Sequence, residues 1–237
     1  MVVDVVTLFP GMFFGPLESG VLARARQSDL VAVRIHDLRR WGIGRHRVVD
    51  DTPYGGGGGM ILRAEPLFDA VEWIRERYPA ERDRVVLLSP QGARLNHGGA
   101  QRLADYERLI LLCGRYEGVD ERVREALADE ELSIGDFVLT GGELPALMVT
   151  DAVFRFIPGV LGGPTPAEND SFANGLLESP YYTRPVEFRD HRVPDVLLSG
   201  DHGAIARWRD EMALEVTRNK RPDLLGGDDS LSRPDGS

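Results

Sequence analysis

The chain has 237 residues, 42% of them hydrophobic and 28% charged, with a formal net charge of −10, a globular composition with room for one large domain and a smaller companion. No apolar run approaches the roughly 18 residues of a membrane span. A single cysteine excludes a disulfide framework or a cysteine-held zinc, and five scattered histidines carry no metal-ligand spacing.

The amino-terminal MVVDVVTLF has no basic leader and reads as a strand, Val2–Phe9, which suggests a cytoplasmic protein. A helix over Val21–Gln27 and a strand over Val31–His36 follow, then a loop crowded with Arg39, Arg40, Arg45, His46 and Arg47. Asp51-Thr52-Pro53-Tyr54 precedes five consecutive glycines and Met60. Next come a helix over Pro66–Tyr78, with Leu67, Ala70, Val71 and Ile74 on one face, and strands at Val85–Ser89 and Leu109–Cys113 separated by a helix over Gly98–Leu103. A helix over Glu121–Ala128, a buried apolar strand at Phe137–Leu139 and a helix over Gly142–Phe156 complete the first part. In that last helix Leu144, Leu147, Met148, Ala152 and Phe156 recur at helical spacing. Such alternation predicts an α/β fold: a mostly parallel sheet with helices on both faces.

Composition changes over Gly159–Asn174, which is rich in Gly, Pro, Ala, Asn and Asp and has the look of an interdomain strap. The expected division is residues 1–159, a linker or lid over 160–175, and a small helical domain over 176–237. In the last of these VLLSGDH leads into a helix, Ala204–Lys220, with Trp208, Met212 and Val216 on a face that must pack. Arg207, Arg209, Arg218, Lys220 and Arg221 form a second basic cluster there. Either cluster is a solvated surface or a local phosphate-binding patch on an otherwise acidic protein. The last dozen residues are polar and expected to be disordered.

Three strand ends carry loops with little side chain: Leu87 to Gly92, Cys113 to Gly118, and Ser133 to Ala146, SIGDFVLTGGELPA. Bare backbone at the carboxyl ends of strands is where open α/β sheets place a small ligand. Phe9 is followed by Pro10 instead of GxGxxG, which argues against a dinucleotide-dependent dehydrogenase, and the glycine run lacks the GK[ST] of a phosphate loop. That run is either a flexible connection or a loop that closes over a large polyanion beside Arg45, Arg47 and Tyr54.

DTPYGGGGGM, LSPQG, CGRYEGVDERV, SIGDFVLTGGELPA, RFIPGVLG, ENDSF, YYTRP and VLLSGDH occur in one order along nearly the whole chain. In these the sequence resembles the bacterial tRNA (guanine-N1)-methyltransferases of the SPOUT superfamily. One departure is Gly58, where that family has proline; another is Phe137, where it often has tyrosine. The resemblance implies a C-terminal trefoil knot in the α/β domain, which the rarity of threaded chains would otherwise exclude. It implies S-adenosylmethionine as methyl donor, held by Leu88, Ser89, Pro90, Gly114, Tyr116, Glu117, Ser133, Ile134, Gly135, Asp136, Phe137, Val138, Leu139, Gly141, Gly142 and Pro145. It also implies a homodimer whose active site lies at the subunit interface, with tRNA bearing guanine at position 37 as substrate. Magnesium is left open, without assigned ligands.

By the same resemblance Asp170 is the general base that takes the N1 proton, and Arg155 stabilises the charge that collects on O6. Read from the residues alone, Asp170 is a helix N-cap and Arg155 a structural ion pair. Contacts to tRNA are assigned to Arg45, His46, Asp50, Tyr54, Gly56, Gly57 and Ser171, and no membrane is expected. The alternative is a tRNA-binding module of the same fold without activity.

Overall fold

The computed structural model describes residues 1–162 and 170–226. Glu168 and Asn169 of the expected strap, and the tail from Gly227 on, lie outside the described residues. Contacts divide the chain into two units, Met1–Gly163 and Pro164–Ser237.

In the first unit, β1 (Val2–Thr7) leads through the short α1 (Phe14–Leu17) and α2 (Gly20–Gln27) to β2 (Ala32–Asp37). A two-strand pair, β3 (Asp50–Asp51) and β4 (Ile61–Leu62), brackets the glycine run and precedes α3 (Ala64–Arg77). Then follow β5 (Asp83–Arg94), α4 (His97–Ala104), β6 (Arg108–Cys113), α5 (Glu121–Ala126), β7 (Glu130–Ser133) and α6 (Glu143–Phe154). The central sheet has the order β2-β1-β6-β5-β7, and each neighbouring pair in it is parallel.

Strand periodicity divides the core. Leu109 and Leu111 of β6 join Val86 and Leu88 of β5 on the face covered by α4 and α6, with Ala100, Leu103, Val149 and Phe154. Ile110 and Leu112 join Val85 and Leu87 on the other face, under Leu67, Val71 and Ile74 of α3 and Val123 of α5. A sheet buried on both faces must be apolar at consecutive positions, and all six residues of β6 are buried, Arg108 among them. Arg108 is tolerated because both terminal nitrogens of its guanidinium are satisfied, one donating to the Tyr78 carbonyl and the other, at 2.6 Å, to Asp83, although its Nε has no acceptor.

Three expectations are corrected here. Phe137–Leu139 is neither a strand nor buried; the strand is β7, four residues upstream, and Phe137, Val138 and Leu139 are 54%, 81% and 38% exposed. Two glutamates hide that strand from a hydrophobicity reading. Glu130 is neutralised by Arg102 (2.6 Å) and Arg84 (3.4 Å), and Glu131 by Arg124 (2.9 Å). Second, α6 buries Ala146, Val149, Thr150, Val153 and Phe154, while Leu144 and Met148 of the expected face are half exposed. A helix apolar all round offers its period no way to choose a face. Third, β5 does not stop at Ser89 but continues to Arg94 past an irregularity, both Leu88 and Ala93 pairing with Leu132 of β7.

The second unit holds a hairpin, β8 (Glu187–Phe188) with β9 (His191–Arg192), then α7 (Asp195–Leu198) and α8 (His202–Lys220). Asp201 caps α8 by accepting from the Ala204 N–H at 3.0 Å, and Arg218 and Lys220 sit in its last turn against the negative end of the helix dipole. Trp208, Met212 and Val216 are half-buried. Asp170 opens a turn, its carbonyl accepting from the Ala173 N–H at 3.1 Å, and no helix begins there, so the N-cap reading of Asp170 does not hold.

Candidate active site

The glycine-bounded segments come together in one cleft, formed at the carboxyl ends of β6 and β7 and at the irregularity within β5, where Leu87 to Gln91 line it. Of the sixteen residues expected around a donor, fourteen line it; Gly135 and Asp136 do not. Those two make the turn instead. The Ser133 hydroxyl accepts from the Gly135 N–H (3.1 Å) and donates to its carbonyl (2.9 Å), and Asp136 pairs at the surface with Arg94 (3.2 Å). Sequence reasoning missed Gln91, Arg115, Val119, Arg124 and Thr140 among the lining residues. Arg115 stands inside CGRYEG, where a single arginine among small residues gives no periodic or spacing signal of its place in the cleft.

Main-chain bonds stitch the walls together. The Gly142 N–H donates to the Gly114 carbonyl at 2.9 Å, and Arg115 forms a backbone bridge with Gly141. The Arg115 guanidinium also donates to the Thr140 carbonyl at 2.6 Å. Here glycine is required by space. A Cβ on Gly142 would stand 2.7 Å from the Cys113 Cα, and one on Gly141 would stand 2.4 Å from a Glu143 carboxylate oxygen. Tyr116 adopts φ 59°, a left-handed conformation that costs a tyrosine on the order of 1 kcal/mol or more and that clusters at functional sites.

Behind the glycine turn lies a buried acid. Glu143, 1% exposed, opens α6; one carboxylate oxygen accepts from the Thr7 hydroxyl at 2.8 Å, and the other has no hydrogen-bond donor, its nearest cation being Arg115 at 3.8 Å. The strand β1, the loop after β6 and the glycine turn are thus joined at one carboxylate. Cys113, next to the cleft, is no nucleophile: complete burial and then the charge of Glu143 push its thiol pKa well up, leaving it protonated.

The glycine run abuts the same cleft. The Glu117 N–H donates to the Met60 carbonyl at 3.1 Å, and a Cβ on Gly59 would stand 2.5 Å from the Glu117 side chain. Gly55, Gly56, Gly57 and Gly59 have positive φ while Gly58 does not, so the position where the resembled family has proline is the one with no left-handed demand. Tyr54 is fully exposed, and Arg45 and His46 are exposed in a turn closed by the Ile43–Val48 bridge; Asp50 is half-buried in β3. Arg155 is exposed at the end of α6, where its N–H donates to the Asp151 carbonyl.

Asp170 and Ser171 belong to the second unit, where their turn is braced. The Ser171 N–H donates to Glu178 at 2.8 Å, and the Glu178 N–H returns to the Ser171 hydroxyl at 3.1 Å. Among the described residues no group of three or more His, Cys, Asp or Glu side chains forms a metal-holding cluster, and no helix is long and apolar enough to cross a membrane.

A parallel α/β sheet with a glycine-walled cleft at its strand ends places this chain among the α/β proteins whose ligand sites lie at that edge of the sheet. Comparison with known proteins narrows the class. Residues 1–227 match the family described as tRNA (Guanine-1)-methyltransferase TrmD. A Geobacter sulfurreducens protein named tRNA (guanine-N(1)-)-methyltransferase is 58% identical over 94% of this chain and 90% of its own length. Proteins of the same name from Dehalococcoides mccartyi and Listeria monocytogenes are 55% and 49% identical, each over 95% of this chain and 90% and 92% of their own lengths. The chain belongs to the TrmD family.

Proposed function

We propose that this chain methylates N1 of guanine 37 in tRNA, with S-adenosylmethionine as donor and Asp170 as general base, in the cytoplasm. The observation that carries the reading is the convergence of three segments on one cleft where backbone crowds out any side chain at Gly142 and the tips of Glu143 and Arg115 crowd Gly141. The residues present fit the donor. Leu88, Ile134, Val138, Leu139 and Pro145 give an apolar slot for a base, and Gly114, Gly141 and Gly142 let main-chain groups approach it closely. Glu117 and Ser89 add polar atoms at the rim. Bound there, the donor supplies a methyl group on a cationic sulfur.

Guanine N1 carries a proton at neutral pH and is a poor nucleophile until that proton leaves. Asp170 would take that proton as N1 attacks the methyl carbon, the leaving sulfur of the donor keeping the electron pair of the broken C–S bond. Negative charge passes to guanine O6, where Arg155 lowers the barrier by donating to it. The Ser171–Glu178 exchange holds the Asp170 turn in a fixed shape, which favours its use as a positioned base. Tyr54, Arg45, His46, Asp50, Gly56 and Gly57 then meet the RNA beside the cleft, supported by the tie between the glycine run and Glu117.

A knot is supported by the path of the chain: β7 pairs on the far side of β5, yet Gly141 and Gly142 return to bond the loop after β6. A homodimer, with Asp170 serving the partner's cleft, is supported by the exposed apolar Leu144 and Met148 on α6. The test is incubation with labelled donor and unmodified tRNA transcripts carrying G37 or A37, with the mark located by mass spectrometry. Label at N1 of G37 is expected, absent from A37. Asp170→Asn should lose at least about a hundredfold in rate while donor affinity by titration calorimetry stays unchanged. Label elsewhere, or a rate retained within tenfold, defeats the assignment.

A further inference from the structure

The YYTRP motif finds no use in the reading above. Every residue from Tyr181 to Val186 is exposed; Tyr182, 50% exposed, still meets the Trp208 ring at 6.5 Å between centroids, whereas Tyr181 is 69% exposed and presents its ring to solvent. They wall a second cleft made wholly within the second unit. Its floor is aliphatic, from Leu197 and Leu198 of α7 and Ile205 of α8, and Arg184 and Arg209 stand on its rim. The neck of the hairpin closes one end, where the Val193 N–H donates to the Val186 carbonyl at 2.9 Å.

We propose that this cleft seats an unpaired nucleobase of the RNA substrate, one flanking the target nucleotide. The inference rests on the proposed tRNA methylation. The chemistry fits a nucleotide on both counts. Tyrosine faces and an aliphatic floor accept a flat base of any identity, and two guanidiniums at the rim meet its phosphates. A protein partner or a second copy could also meet these arginines with carboxylates, but it would not need an exposed aromatic face beside them, which a base uses directly.

Location supports the same occupant. The Tyr181 hydroxyl pKa is raised, by partial burial first, then by Glu178, with a smaller push from Asp170 and an opposing pull from Arg209. Glu178 is also the residue that braces the Ser171 backbone. One carboxylate therefore links the wall of this cleft to the turn that carries the proposed general base. A base stacked on Tyr181 would fix where its neighbour in the strand can lie.

The test uses the full-length protein and a fluorescent anticodon stem–loop RNA, intact or made abasic at one loop position at a time. Tyr181→Ala should weaken binding of the intact RNA about ten- to a hundredfold, the range of one lost stack. Tyr181→Phe, which keeps the ring, should stay within threefold. One abasic position should weaken wild type by a similar factor and leave Tyr181→Ala unaffected. Arg209→Ala should lower the slope of log affinity against log salt by about one. Calorimetric donor binding serves as the folding control. Tyr181→Ala binding within twofold of wild type, an equal loss on fully duplex RNA, or a change of oligomeric state on that substitution overturns the proposal. If wild type shows the stacking signature but methylates no tRNA, the proposed reaction fails and the nucleobase cleft stands. Normal methylation with an unaffected Tyr181→Ala gives the reverse.

Discussion

Thr7→Val is the sharpest probe of how the cleft is held. Valine matches threonine in shape, so the change deletes a hydroxyl without opening a cavity. In the native structure that hydroxyl donates to Glu143 at 2.8 Å and accepts from the Phe9 N–H at 2.9 Å. Its loss leaves a carboxylate 1% exposed with neither oxygen hydrogen-bonded, since the other already lacks a donor. Stranding a buried acceptor costs about 1–3 kcal/mol, more when it is charged, and the orphaned N–H adds roughly 1 kcal/mol. A loss of about 2–4 kcal/mol is therefore expected, or roughly 5–15 °C in the unfolding midpoint at the few degrees per kcal/mol of a chain this size. Replacing both partners, Thr7→Val with Glu143→Leu, removes the charge that needed the bond and should recover at least half the loss. Arg115 keeps its bond to the Thr140 carbonyl in that variant. Calorimetry on wild type, both single variants and the double variant closes the cycle. A single-variant cost under about 0.5 kcal/mol, or strict additivity, would refute the view that Glu143 is a buried charge held by Thr7.

Gly142→Ala should abolish donor binding and lower the unfolding midpoint, because its Cβ would stand 2.7 Å from the Cys113 backbone; calorimetric titration with normal affinity would show that the backbone gives way. Gly141→Ala should be milder, since the obstacles are the tips of Glu143 and Arg115. Cys113 should resist a thiol reagent at pH 8 in the folded protein and react once denatured, burial and Glu143 both holding its pKa up; prompt native labelling counts against this. Asp83 is held below the usual carboxylate range: burial opposes ionisation, but bonds from Arg75 and Arg108 outweigh it. A depressed folded pKa gives stability that is present above the unfolded value near 4 and is lost as pH falls through the folded one. Asp83→Asn should accordingly flatten the acid limb of a stability–pH profile, and an unchanged limb would exclude that linkage.

What the sequence makes legible follows from which forces leave a periodic trace. The strands at β1 and β6 stand out because a sheet covered on both faces needs consecutive apolar residues, β2 more weakly because it is an edge strand with Arg34, His36 and Asp37 in it, and α3 because one face of it packs. Strand β7 leaves no such trace: Glu130 is neutralised by Arg84 of β5 and Arg102 of α4, 46 and 28 residues away, which no local pattern encodes, and Glu131 by Arg124 of the preceding helix α5. The same limit explains Phe137–Leu139. An apolar run means removal from water only if something covers it, and here it is the wall of a cleft.

The candidate site was legible to the extent that it consists of missing side chains. Glycine runs are visible in a sequence because they cost conformational entropy and persist where space or a positive φ demands them. Gly142 and Gly59 meet that condition by close approach, one against the Cys113 backbone and the other against Glu117. The parts that escaped notice are the side chains that brace those glycines. Thr7, Arg115 and Glu143 are ordinary residue types from three separate elements, and only the fold brings them to one carboxylate. Glu143 carries a further lesson, for it sits inside the most conspicuous stretch of the chain and passes for a solvated helix-start acid. It is buried because the turn before it must lie flat on the loop after β6, which drives the first residue of α6 beneath that loop. A turn built to expose backbone on its outer side has to bury whatever stands behind it, and here that is a charge in need of Thr7 and Arg115.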